Sequence, residues 1–277
     1  MFASAQVLSA QTVPDMHQSR LFAPPGRPRP LARRLAIHNR VVRRVRSNLE
    51  AAGFQEIPAS GPEPLSVLDA MIERGFPALW CEHQVQGPPD ATGQRQLPVY
   101  RVITARSTAH GLNELADLME NLLKDVTGAL GAELLGGMQV TRLDRSLHSP
   151  HLRLRHSEAV AVAHGRGWEV GPGDDLPPDV EAALVRHGGN LPLLVTHWPT
   201  ALKAGLVTCE PGVSARIKYL APYAGEIMDG GIEDGAMPRA GFSLGIGRLL
   251  QYLMGLGSIA DTEILPRMAK PSAQARA

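Results

Sequence analysis

The stretch Ala240-Gly241-Phe242-Ser243-Leu244-Gly245-Ile246-Gly247-Arg248-Leu249-Leu250 passes from a strand, Gly241 to Gly245, into a helix, Arg248 to Met254, through small residues. Two readings of its glycines stand side by side. In one, they let the backbone approach a flat ligand while Arg248, on the first helical turn, lays its guanidinium over a base and reaches a triphosphate. In the other, they only let a helix pack closely on a sheet. No GxxxxGK(S/T) loop occurs, nor a GxGxxG after a strand, so a nucleotide site here would not rest on a phosphate-cradling glycine loop.

Outward from this stretch, the chain has 277 residues, enough for a sizeable core. Lys plus Arg number 28 against 27 Asp plus Glu, a net charge of +1, so no whole-chain field draws in nucleic acid. With 44% hydrophobic and 20% charged residues the composition is globular, and no apolar run reaches a membrane span. Aromatics are only 4%, which argues against stacking platforms for single-stranded nucleic acid. Cys81 and Cys209 form no CxxC pair, and the N-terminus lacks a positive n-region, so a reducing cytoplasm is the expected location.

Residues 1–30 end in the proline-rich run Ala23 to Pro30 and read as a loose arm; the tail 268–277 reads as disordered. From Leu31 to Ala52, Leu35, Val41, Val42, Val45 and Leu49 recur at helical spacing among six arginines, with Gly53 as a C-cap. These arginines read as a solvated or interface face. Phe54 to Ile57 alternates like a strand, Ser66 to Arg74 reads as a helix, and Ala78 to Val85 with Gln96 to Thr104 as a long hairpin. Leu112 to Leu130 is a strongly amphipathic helix. Helices are expected at Ser157 to His164, with Ser157 as N-cap, and at Asp179 to His187. Strands are expected at Leu191 to Thr196, Leu206 to Cys209 and Ala215 to Leu220.

Four linked segments carry a family resemblance. They are the strand and helix around Arg248; Leu220-Ala221-Pro222-Tyr223-Ala224-Gly225-Glu226-Ile227; Pro192 to Pro199 with Leu202-Lys203-Ala204; and Gly255 to Asp261 with the later Pro266-Arg267. Together they resemble the catalytic domain of class II asparaginyl-tRNA synthetases and, more distantly, the aspartyl enzymes and asparagine synthetase A. The likeness covers residues 31–267. It implies an α/β (α+β) fold with a mostly antiparallel, six-stranded sheet flanked by helices, and a homodimer through the 31–52 helix. It implies ATP as cofactor, held by Glu82, Gly245, Glu226 and Arg248, and magnesium held by Glu226. His197, Trp198, Lys203, Gly230 and Asp234 fall on the substrate side.

The chain departs from the family at telling positions. Where the family has a second magnesium ligand, an aspartate, Lys218 stands; an ammonium cannot coordinate a hard cation but can take the metal's place and offset phosphate charge. Where the family's arginine grips the substrate carboxylate, Gly230-Gly231-Ile232-Glu233-Asp234 offers an acid, which favours an amine or hydroxyl. Leu79-Trp80-Cys81-Glu82, laid on the family's Phe-Arg-x-Glu, keeps Glu82 and puts Trp80 at the α-phosphate arginine; Arg95 or Arg101 is the alternative source of a guanidinium. His148, His151 and His156 read as a polar loop rather than zinc ligands, and Cys81 as a half-buried structural cysteine.

The expectation is therefore an ATP-dependent enzyme that activates a carboxylate as an adenylate and passes it to an amine or other small acceptor in specialised metabolism. Arg248, Glu226 and Lys218 carry the chemistry in that reading, with tRNA a partner only outside anticodon recognition. The alternative is a non-catalytic or ATP-independent paralogue that binds nucleotide or aminoacyl-tRNA in a regulatory or transfer role.

Overall fold

The computed structural model describes residues 30–58, 63–88 and 96–264; the arm, Arg95, Pro266-Arg267 and the tail lie outside the described residues. In chain order the elements are α1 (Pro30–Ala51), β1 (Gln55–Glu56), α2 (Pro64–Glu73), β2 (Ala78–Gln86), β3 (Val99–Ser107), α3 (Leu112–Gly128), α4 (Gly137–His148), β4 (Leu152–Arg155), α5 (His156–His164), α6 (Pro178–His187), β5 (Leu193–Pro199), β6 (Thr208–Glu210), β7 (Val213–Ala221), β8 (Gly225–Glu233), β9 (Arg239–Gly245) and α7 (Ile246–Met254). Among the described residues the sheet has nine strands, in the order β1-β2-β3-β9-β8-β7-β5-β4, with β6 paired to β7 at the side. The extra strands over the expected six are the short edge pieces β1, β4 and β6. Among the described residues, only β1 on β2 and β4 on β5 run parallel.

The two faces of this sheet have different cover. On one face Ile37, Val41, Val45 and Leu49 of α1, the stripe of α3 (Leu115, Met119, Leu122, Val126) and α7 bury Trp80, Ile103, Ile217, Tyr219, Phe242 and Leu244 in one core. On the other face, two smaller clusters sit at opposite ends. One gathers α5 and α6 over Leu193, Val195, Trp198 and Leu220; the other sets α2 on Leu79 and Cys81. Between them no described residue covers the middle of the sheet, and the candidate site lies there.

The arginines of α1 work within the molecule. Arg40 meets Glu133 at 2.6 Å, Arg46 meets Glu82 at 3.2 Å, Arg34 donates to Asp261 O at 2.9 Å, and Arg43 donates to Asn39 O at 3.2 Å. Arg44 pairs with Asp125 and Arg33 donates to Leu134 O. The helix is thereby fastened to α3 and the loop after it, to β2, and to the segment after α7. Gly53, at φ 87, ends it in the left-handed region.

Two local expectations are corrected, and the two readings of the glycines are told apart. The histidine-bearing stretch expected as a polar loop contains α4 and β4; α4 buries only Leu143 and Ser146, too few for a visible stripe. The helix expected to start after Ser157 starts at His156, because Glu158 Oε2 accepts the N–H of Arg155 at 2.7 Å and makes Arg155 the N-cap. Gly241 serves strand packing, since a Cβ there would stand 2.8 Å from Ala105 O, whereas a Cβ on Gly245 would meet nothing nearer than the Arg248 side chain at 3.6 Å.

Candidate functional site

The uncovered sheet face floors a cavity of about 1120 Å³. Residues directly opposite on neighbouring strands share a face, so the pairs Val85–Tyr100, His83–Val102, Val102–Gly245, Asp229–Ser243 and Lys218–Asp229 put one row of side chains into it. Helix α6 forms a wall through Glu181 and Ala182, and Arg248, Gln251 and Tyr223 form the rim.

Arg248 stands on the first turn of α7, where the helix dipole is positive, and donates to Ala224 O in the turn between β7 and β8. In that turn Tyr223 has φ 70 and Gly225 φ 67. A Cβ on Gly225 would lie 3.2 Å from Glu181 Oε2 and 3.4 Å from Arg248 Nη1, so glycine serves both the backbone and the close approach of these side chains.

Lys218 lies at the centre of the acidic side. Its Nζ is 3.0 Å from Asp175 Oδ1, 3.3 Å from Glu226 Oε2 and 3.8 Å from Glu181 Oε1, and 4.6 Å from the centre of the Trp198 ring. Burial opposes the ammonium charge, but the three carboxylates outweigh it and hold the Lys218 pKa above the ordinary lysine value. Burial pushes Glu181 up to about 7, Lys218 offsetting only part of the effect, and raises Glu226 as well. Asp175 goes the other way, because its hydrogen bond from Lys218 overcomes its burial. Beyond this cluster Asp229 accepts from Arg216 Nε at 2.9 Å and from Lys203 Nζ at 2.6 Å.

The structure thus brings Arg248, Gly245, Glu226 and Lys218 into one cleft, and reaches it with Lys203 through Asp229. Other expected residues stand elsewhere. Glu82 and Trp80 face α1: Glu82 pairs with Arg101 and Arg46, and Trp80 is buried under Arg46. The neighbours on the cleft side of β2 are Cys81, His83 and Val85, one residue out of register with the expected alignment. Arg101 has turned away with Glu82 and reaches His38 at 2.8 Å. Trp198 is fully buried, its indole donating to Val195 O at 2.9 Å, and serves as a platform beneath Arg216 and Lys218.

His197 lies at a bulge with φ 56, bonded to Thr196 Oγ1 at 2.8 Å and outside the cavity lining. Gly230 faces the core, where a Cβ would stand 2.5 Å from Gly241 O. Asp234 is exposed at the end of β8 and accepts from Gly235 N at 3.0 Å, also away from the cavity. Among the three histidines, His148 donates to Asp144 O, His151 is buried against Ser146 and Tyr219, and His156 donates to Asp174 O. Sequence reasoning missed Asp175, Glu181, Arg216 and Asp229.

The magnesium that the family resemblance implies does not fit these residues. The three carboxylates closest to its place converge on an ammonium with three protons to donate, and a divalent ion among the same oxygens would stand against that positive charge.

No protein-family model matches the chain. It is similar to the asparaginyl-tRNA synthetase of Mus musculus, 25% identical over 268 residues covering 77% of this chain and 55% of that protein. It is also similar to the asparagine–tRNA ligase of Vibrio cholerae, 26% identical over 218 residues, 62% of this chain and 47% of that one. The chain thus spans about half the length of these curated relatives.

Among solved structures, the asparaginyl-tRNA synthetase of Pyrococcus horikoshii complexed with asparaginyl-adenylate superposes with a TM-score of 0.74 at 19% identity, covering 88% of this chain and 69% of that one. The aspartyl-tRNA synthetase of Entamoeba histolytica superposes with a TM-score of 0.73 at 18% identity, covering 85% and 58%. Sequence likeness and backbone agree: the chain is similar to asparaginyl-tRNA synthetases in sequence and has the class II catalytic-domain fold of the asparaginyl and aspartyl enzymes.

Proposed function

We propose that the chain is an ATP-dependent ligase that activates a carboxylate as an adenylate and transfers it to an amine or another small acceptor. The observation that carries this reading is the convergence of Arg248, Glu226 and Glu181 on one large cleft over the sheet, in a chain similar to asparagine–tRNA ligases. The relative solved with asparaginyl-adenylate has the same fold.

In the first step a substrate carboxylate oxygen attacks the α-phosphorus of ATP, the bond to the β-phosphate oxygen breaks, and pyrophosphate leaves. Arg248, at the positive end of α7, holds the nucleotide. In the second step an amine attacks the acyl carbon and AMP leaves. The carboxylates of Asp175, Glu226 and Glu181, three against one ammonium, suit an amine-bearing acceptor, and Glu181, whose pKa burial raises to about 7, accepts the proton that the ammonium must lose before it attacks.

Exchange of pyrophosphate into ATP, run over a panel of amino and other acids, tests this. Turnover that depends on one acid and is lost in Arg248→Ala is expected; silence across the panel from folded protein overturns it. The acceptor stage includes tRNA beside free amines, and non-tRNA acceptors in specialised metabolism are the proposed outcome. A homodimer through α1 belongs to the same proposal, supported by the exposed Leu31 and Leu35, and light scattering on the purified protein checks it.

One observation favours a second reading, a paralogue that binds nucleotide or aminoacyl-tRNA without forming an adenylate. Among the described residues of β2 and β3, those lining the cleft are His83, Val85, Tyr100 and Val102, with no guanidinium. Arg106 is held by Asp69 and Glu233 instead. Loss of one such electrostatic contact costs about 3 kcal/mol of transition-state stabilisation. Calorimetric ATP binding without exchange would select this reading.

A further inference from the structure

The acidic side of the cleft is a closed set of charges drawn from four places in the chain. Asp175 comes from the loop before α6, Glu181 from α6, Glu226 from the start of β8 and Lys218 from the middle of β7. The lysine side chain is 6% exposed, and the Trp198 ring covers the side that the carboxylates leave open. Trp198 is itself wedged against the His156 ring at 4.7 Å, so this platform is fixed. A lysine that had merely drifted into a polar cleft could extend its long stem to water; this one is held by a built surround.

Metal and ammonium exclude each other here. A divalent ion bound by the same oxygens would stand against the ammonium charge of Nζ in a half-closed cleft, where charges are screened less than in water.

We propose that Lys218 is the resident cation of the cleft, occupying the place in which the fold family implies magnesium, so that nucleotide phosphate is taken up without a divalent ion held by protein carboxylates. Lys218 also ties Asp175 and Glu181 to the sheet, which sets the distance between the α6 wall and the floor. The nucleotide half of this inference rests on the proposed function; the metal half does not.

Mn²⁺ alone, titrated into the full chain and followed by electron paramagnetic resonance, provides the test. The wild type is expected to hold no Mn²⁺ that Glu226→Gln removes. Lys218→Asp, which sets a fourth carboxylate among the three, is expected to gain a site at least about tenfold tighter, lost again when Glu226→Gln is added. Mn²⁺ bound by the wild type through Glu226, or a folded Lys218→Asp variant with no gain, overturns the proposal.

Should the variant not fold, the wild type still decides. ATP affinity that changes by less than about threefold between magnesium and chelator supports the proposal, and a loss above about tenfold in chelator overturns it. Absence of ATP binding in both conditions counts against the proposed function, and the Mn²⁺ titration of the wild type then settles the metal half by itself.

Discussion

Glu181 Oε1 stands 3.8 Å from Lys218 Nζ, and still its carboxyl titrates at about 7. The cause is its burial on the cleft face of α6, reinforced by the negative charges of Glu226 and Asp175, which share the same lysine. One ammonium thus serves three acids, and the most buried of them bears the deficit.

A raised carboxylate pKa means that the folded state binds a proton more tightly than the unfolded chain between the ordinary glutamate value and about 7. The contribution of Glu181 to stability is therefore fully present at acid pH and declines as pH rises through that window. Urea denaturation at pH 5.5, 6.5 and 7.5 should show the wild type losing stability relative to Glu181→Gln as pH increases. A difference between the two proteins that is flat with pH would show Glu181 ionised throughout.

Removing the shared cation should be far more damaging than removing one acid. Lys218→Ala leaves Asp175, Glu181 and Glu226 facing one another in a half-closed cleft, and breaking a buried charge set by deleting one partner costs about 3–5 kcal/mol. The deficit should shrink at pH 5 and below, where the orphaned carboxylates take up protons. Denaturation curves of the variant at pH 7.5 and 5 measure both effects; a loss under about 1 kcal/mol at pH 7.5 would show that the acids are individually solvated.

Periodicity made α1, α3 and the β2–β3 hairpin legible, because each carries a long stripe or paired β runs. The passage from β9 into α7 was legible for the same reason, and with it the position of Arg248. The face of β2 was not. Ala78, Leu79, Trp80 and Cys81 are all buried, so no alternation shows which side meets the cleft, and a slip of one residue exchanges Glu82 for His83. Glu181 was hidden differently. In α6 an acid three residues from the start reads as a partner of the helix dipole, and only the fold shows it buried beside Val180, Ala183 and Leu184. Asp229 escaped because it precedes the Gly230-Gly231 pair that drew the family alignment, whereas the register of β8 on β7 sets it opposite Lys218.

The cover that α2 gives this end of β2 is open to chemical test through its cysteine. Cys81 is fully buried under α2, and burial pushes its thiol up to about 11, while Cys209 is exposed. Since the thiolate is the nucleophile, this shift alone lowers the reactive fraction at pH 8 by roughly a hundredfold. Alkylation by iodoacetamide, followed by peptide mass spectrometry, should label Cys209 quickly and Cys81 only when the chain unfolds. Comparable rates at the two sites would place Cys81 on an open face.

Gly225 links the two halves of the cleft and offers the most specific test of its geometry. Its φ of 67 costs an L-residue about 1–2 kcal/mol, and any Cβ there presses on Glu181 Oε2 and Arg248 Nη1 together. Neither group yields freely, since Arg248 Nη1 donates to Ala224 O and Glu181 is drawn toward Lys218. Gly225→Ala should lose about 1–2 kcal/mol of stability from the backbone alone. Gly225→Asn should lose less, because asparagine tolerates the left-handed region better, yet it carries the same Cβ. If contact with Glu181 and Arg248 governs the cleft, both variants weaken ATP binding to a similar extent in calorimetry despite their different stabilities. Binding that followed stability instead, with Asn close to wild type, would show that Gly225 serves only the turn.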